Sequence, residues 1–76
     1  MSDKKQWPGS TNITGARYSH TQMSLTITFK TKRTYRYDNV PLPIWEEMKL
    51  ANSAGQYLNN YIQNIYFATE VPYEKI

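Results

Sequence analysis

Seven consecutive residues, Ser24-Leu25-Thr26-Ile27-Thr28-Phe29-Lys30, alternate polar and apolar side chains without a break. An extended chain sends successive side chains to opposite faces, so it gathers Leu25, Ile27 and Phe29 on one side; a helix would scatter them around its circumference. A half-buried strand of this kind needs neighbours to pair with and a layer to cover its apolar side. The flanking sequence offers both. Upstream, Ile13-Thr14-Gly15-Ala16-Arg17-Tyr18 reads as a strand ending in the polar turn Ser19-His20-Thr21-Gln22. Downstream, Thr31-Lys32 leads into Arg33-Thr34-Tyr35-Arg36-Tyr37, β-branched and aromatic, which stops at Asp38-Asn39 and Pro41.

After the prolines the period changes. Pro43 suits a first helical turn, and Glu46 and Glu47 follow near the positive end of the helix dipole, which predicts a helix over about 43–51 with Ile44 and Met48 inward. Ser53 can cap a second helix over about 54–65, in which Leu58, Ile62 and Ile65 share a stripe and Tyr57 and Tyr61 stand one turn apart. The expected fold is α+β: a three-stranded antiparallel meander with two short C-terminal helices packed on one face. Residues 1–9, polar and broken by Pro8-Gly9, read as a flexible tail, and 68–76 as a C-terminal extension of a domain spanning 10–67.

At 76 residues there is room for one small core, and with no cysteine there is neither a disulfide framework nor a thiolate metal site. The charged N-terminus lacks the apolar run of a secretory signal, and no stretch approaches a membrane span. A cytoplasmic or virion-internal setting is expected. Charge is unevenly spread: residues 1–37 hold seven bases and one acid, residues 38–76 two bases and five acids. The basic half attracts polyanions or an acidic protein surface.

The order of short fragments resembles the KTSC domain, a small module named for its occurrence at the C-terminus of some lysyl-tRNA synthetases and also found as a free-standing bacterial and phage protein. The fragments are Ser10-Thr11-Asn12-Ile13, Tyr18, Leu25-Thr26-Ile27-Thr28-Phe29, Tyr35-Arg36-Tyr37, Val40-Pro41 and Ala51-Asn52-Ser53-Ala54-Gly55-Gln56-Tyr57-Leu58-Asn59, followed by Ile62 and Tyr66. The resemblance implies an α+β domain without enzymatic activity and with a suggested role in RNA binding. Two positions depart from the family pattern: Lys32 stands where it tends to carry glycine, and Ala54 where lysine is usual.

If Leu25, Ile27 and Phe29 face the helices, Thr26, Thr28, Lys30, Lys32, Thr34 and Arg36 face away, joined by Arg17, and form a hydroxyl-rich cationic surface suited to phosphate and ribose. The same composition also keeps an exposed sheet face soluble. Arg33 adds charge to the hairpin. Tyr35 and Tyr37 flank Arg36 like a stacking platform for unpaired bases, although strand parity puts both rings on the helix-covered side. These seven residues (Arg17, Lys30, Lys32, Arg33, Tyr35, Arg36, Tyr37) are the candidate RNA or single-stranded nucleic-acid contacts.

From Leu50 to Thr69 no residue is charged, and the segment is rich in amides and tyrosines. Charge depletion with exposed tyrosine marks protein interfaces, so Tyr57, Asn60, Tyr61 and Asn64, with Trp45 as an anchor, form a candidate surface for a host protein. An amide-rich solvated helix and a core Trp45 are the plainer readings. Catalysis finds little support: His20 is the only histidine, Glu46 and Glu47 point to different helix faces, and Gly9, Gly15 and Gly55 are isolated, so no nucleophile–base pair, metal site, cofactor or phosphate loop is expected. The expected state is a monomer or a weak homodimer.

Overall fold

The structure, a computed structural model, describes residues 2–76. One antiparallel sheet runs in chain order through β1 (Ser2–Gln6), β2 (Ile13–Ser19), β3 (Ser24–Phe29), β4 (Thr34–Tyr37) and β5 (Ala68–Val71). Helices α1 (Leu42–Leu50) and α2 (Ala54–Tyr61) lie between β4 and β5 in sequence. The α+β class and the antiparallel meander are as expected, but the sheet has five strands rather than three. Both additional strands come from the segments read as a tail and an extension; of the tail, Met1 lies outside the described residues.

β1 is built from residues with poor strand propensity, so its partners hold it in place. It pairs with β2 from Ser2↔Ser19 to Gln6↔Gly15. The Asp3 carboxylate accepts hydrogen bonds from the Trp45 indole Nε1 at 2.9 Å and from Lys49 Nζ at 2.6 Å. Lys4 and Lys5 on this edge discourage pairing with a further strand.

Cross-strand register fixes the faces. Tyr18↔Leu25↔Tyr37 and Ala16↔Ile27↔Tyr35 form adjacent rungs, and paired residues share a side of the sheet. On that side Ile13, Tyr18, Leu25, Ile27, Val40 and Tyr37 pack with Trp45, Met48, Leu58 and Ile62 in one buried cluster. Trp45 is fully buried, stacked on Tyr18 with ring centroids 6.1 Å apart and met edge-on by Trp7. The Tyr18 hydroxyl donates to the Val40 carbonyl at 2.6 Å, which satisfies its one polar atom inside the core. Trp45 is therefore a core residue and not the interface anchor considered above.

Ser53 caps α2 as expected, its Oγ accepting from the Gln56 N–H at 3.2 Å. The helix stops at Tyr61, short of the predicted end. Asn64 adopts a left-handed φ of 67°, a conformation asparagine tolerates better than most residues, and the amide-rich run around it has low helix propensity. The correction reaches Ile65, which leaves the predicted stripe and is 61% exposed.

The largest correction concerns the face away from the helices. Thr26, Thr28 and Thr34 were expected to be open to solvent; all are buried. Residues after β5 turn back across Thr28 and Thr34 as a strap, with Thr26 at its margin. The Glu74 N–H donates to Thr34 Oγ1 at 3.0 Å, Thr28 Oγ1 donates to the Glu74 carbonyl at 2.5 Å, and the two hydroxyls are 2.8 Å apart. Since the Thr28 proton is committed to Glu74, Thr34 must donate to Thr28, and the three bonds close a ring in a single sense. Arg17 forks onto the Glu74 carboxylate through Nε and Nη2 at 2.5 and 2.8 Å. Ile76 is buried beside Gly15, where an added Cβ would lie 2.9 Å from the Ile76 carbonyl oxygen, so only glycine lets the strap sit this close.

The Arg17 guanidinium holds the Glu74 carboxyl below its ordinary range, and Lys49 followed by Trp45 do the same for Asp3. Each folded pKa lies below its unfolded value, so the unfolded chain binds more protons in this window. The stabilisation is present above the ordinary carboxylate range and is lost as pH falls through the lowered folded values. Glu74→Gln is expected to flatten the acid limb of the melting temperature against pH, leaving the slope due to Asp3. An unchanged limb would show that the ion pair does not secure the strap.

Candidate functional site

The concavity with the most aromatic lining lies on the helix side of the sheet, beyond the end of α2. There the chain from Gln63 to Phe67 runs towards β5, and the Asp38 N–H fixes it by donating to the Phe67 carbonyl at 2.9 Å. Between this segment and β3–β4 opens a cleft of about 710 Å³ lined by Phe29, Arg33, Tyr35, Tyr37, Tyr66 and Phe67 with the amides of Gln63 and Asn64. Its volume is in the range of small-molecule sites, roughly 300–1,000 Å³. Phe29 and Tyr35 meet edge to face at 5.9 Å across its floor. Phe67 projects from the rim, 74% exposed.

Of the residues expected to touch nucleic acid, Arg33, Tyr35 and Tyr37 are brought together here. Tyr35 is half-buried and Tyr37 is buried at the back, where burial and then the neighbouring Tyr35 push its hydroxyl above the ordinary tyrosine range. The Tyr37 ring is therefore held as a neutral wall. Lys30 and Lys32 are exposed on the β3–β4 hairpin beside the cleft, and among the described residues neither has an acid within ion-pair distance. Arg33 has a loose, exposed contact with Glu70 at 3.5 Å. Lys32 adopts a φ of 68°, the left-handed conformation that glycine takes without strain. A cation stands where the backbone favours glycine.

Arg17 and Arg36 are not part of this cleft. They lie on the opposite face, Arg17 on Glu74 and Arg36 on Asp38 at 3.1 Å. The surface of hydroxyls and cations foreseen from strand parity is thus divided, Thr28 and Thr34 under the strap, Thr26 buried at its margin, and its arginines paired.

The candidate protein surface is also rearranged. Tyr57 and Tyr61 pack at 4.7 Å on α2, and the Tyr57 hydroxyl donates to Glu47 at 2.6 Å. Burial first, then that carboxylate, push the Tyr57 phenol above its ordinary value and keep it a neutral donor. Tyr61 is about half exposed and Asn60 is exposed beside it, while Asn64 faces the cleft. Gln63 was missed as a site residue because it falls within the predicted helix, which in fact stops at Tyr61, and Tyr66 and Phe67 because they lie where the helical period runs out. The available signal was an aromatic pair standing outside either hydrophobic pattern.

Among the described residues no group of His, Asp and Glu could hold a metal ion, and no helix is long and apolar enough to cross a membrane.

The KTSC domain family model matches residues 9–66. Two lysine–tRNA ligases, from Nostoc sp. and Trichormus variabilis, are each 38% identical over 56 residues, which is 74% of this chain; the chain spans 10% of their length. The crystal structure of a KTSC domain protein from Yersinia pestis shares the fold, with a TM-score of 0.86 at 21% identity over 93% of this chain and 99% of that one.

Proposed function

The chain belongs to the KTSC domain family, and on that premise we propose that it is a non-catalytic module binding RNA or other single-stranded nucleic acid in its aromatic cleft and along the Lys30–Arg33 turn beside it. The observation that carries this reading is the conjunction of ring surfaces in an open cleft with free cations at its edge. Unpaired bases stack on Tyr35, Tyr66 and Phe67, and the phosphates that follow them meet Lys30, Lys32 and Arg33. Such contacts tolerate any base, because every base has a flat face and every linkage a charge. The curated relatives are named for a tRNA substrate, which agrees with RNA as the ligand class.

The reading is tested by fluorescence anisotropy with a labelled oligouridine. Phe67→Ala removes an exposed ring without opening the core and is expected to weaken binding about tenfold, within the roughly 1–3 kcal/mol of one stacked base. Lys32→Gly relieves the left-handed backbone while deleting a charge. It should leave melting unchanged or raised and make the salt dependence shallower by about 0.7 in log–log slope, the value for one phosphate contact on a single strand. Salt-independent affinity that both variants leave intact would refute the assignment.

A second reading is favoured by the charge-free run from Leu50 to Thr69, with Tyr61 half exposed. It makes the chain a phage-encoded module that binds a host protein through Tyr57, Asn60 and Tyr61. A complex that survives nuclease and high salt but is lost in Tyr61→Ala distinguishes it from the first.

A further inference from the structure

Lys4, Arg17, Thr26, Arg36 and Thr69 pair in that order across all five strands, so their side chains share the face opposite the helices. This rung carries three cations, with the Thr26 hydroxyl between the two arginines. The strap crosses the adjoining rung of Gly15, Thr28 and Thr34 and leaves this one at its margin. A notch of about 460 Å³ remains there, walled by Arg17, Thr26 and Arg36 on one side and by Tyr73 and Glu74 on the other.

Neither arginine has exhausted its donors. Arg17 commits Nε and one Nη2 hydrogen to Glu74, and Arg36 commits Nε to Asp38. A guanidinium has five N–H groups, so each retains most of its outer edge, and the two side chains are 31% and 42% exposed. Two strands apart means that they start about 10 Å from each other, a distance two inward-leaning arginines can close onto one tetrahedral oxyanion. The chemistry is already displayed in the molecule, since Arg17 holds a carboxylate in the forked geometry that it would offer a phosphate. The strap does not depend on that carboxylate alone: the backbone N–H and C=O of Glu74 are fixed separately by Thr34 and Thr28. The side chain can therefore swing into water while the strap stays in place.

We propose that the notch between Arg17 and Arg36 is a phosphate-binding site, taking a phosphomonoester or phosphodiester oxyanion, with Glu74 as a built-in competitor for Arg17. The site is on the opposite face of the sheet from the aromatic cleft and does not rest on the function proposed above. Occupancy is weak while Glu74 is ionised and seated, and strengthens when its charge is removed.

The test follows the Nε–Hε resonances of Arg17 and Arg36 in ¹⁵N-labelled protein during titration with inorganic phosphate, and separately with oligouridine. In Glu74→Gln the phosphate-dependent shifts are expected at severalfold lower concentration than in the parent protein, and in Glu74→Gln/Arg36→Ala the Arg17 shift is expected to disappear. Backbone spectra report whether each variant keeps the fold, and Arg36→Lys keeps the charge without the fork if the alanine variant does not. Phe67→Ala is expected to leave the phosphate titration unchanged, which separates this site from the cleft. Arginine shifts with oligouridine at lower concentration than with phosphate identify a phosphodiester as the source; shifts with inorganic phosphate alone identify a free or terminal phosphate. Arginine signals that ignore phosphate in Glu74→Gln, or that respond equally without Arg36, would overturn the proposal.

Discussion

Trp45→Ala is expected to destabilise the domain by about 3–5 kcal/mol in urea unfolding followed by circular dichroism, the usual loss when a large buried aromatic is truncated. A chain of 76 residues holds only roughly 4–11 kcal/mol in total, so the variant sits at the edge of folding. The ring is wholly buried, and it ties α1 to β1 and β2: it stacks on Tyr18 of β2, meets Trp7 just beyond β1 in a T-shaped contact, and donates from Nε1 to Asp3 of β1. Its removal leaves a void and strips the Asp3 carboxylate of a donor. Trp45→Phe keeps much of the volume and is expected to lose clearly less. A Trp45→Ala protein of near-parental stability that had lost a binding partner would restore the anchor role set aside above.

Thr28→Val is expected to cost about 2–6 kcal/mol, because one isosteric change leaves two groups, the Glu74 carbonyl and the Thr34 hydroxyl proton, without partners at roughly 1–3 kcal/mol each. The closed ring makes a second expectation. Thr28→Val and Thr34→Val break the same circuit, so the double variant should lose far less than the two singles added together. Additive losses would mean that the three hydrogen bonds act separately. Ile76, buried beside Gly15, reports the event locally, since its methyl resonances should move towards exposed values when the strap lifts.

Strand β3 was legible because alternation is a local property, and the core it implied, Leu25 and Ile27 against the helices, is the core observed. Ser53 was legible as a cap for the same reason. β1 was not, since Asp3, Lys4 and Lys5 have no strand signal of their own and the strand is held by β2, Trp45 and Lys49. Threonine hid the strap. A pattern of hydroxyls on one face cannot distinguish oxygens satisfied by water from oxygens satisfied by another stretch of backbone, and here Glu74 supplies the backbone. The cleft failed to show for a related reason: Tyr35 was visible, but its opposing wall, Tyr66 and Phe67, reaches it only because α2 ends at Tyr61.

Strand order equal to chain order has a kinetic consequence. The ladders β1–β2, β2–β3 and β3–β4 each close a short loop and can zip early, whereas β5 must wait until both helices have condensed onto the sheet. Residues 72–76 follow β5 in the chain, and the surface they cross, Gly15 and Arg17 of β2, Thr28 of β3 and Thr34 of β4, is already built by the early ladders. Their seat is thus complete before they reach it, and the closing step of folding is the return of the chain across the sheet once β5 is in place.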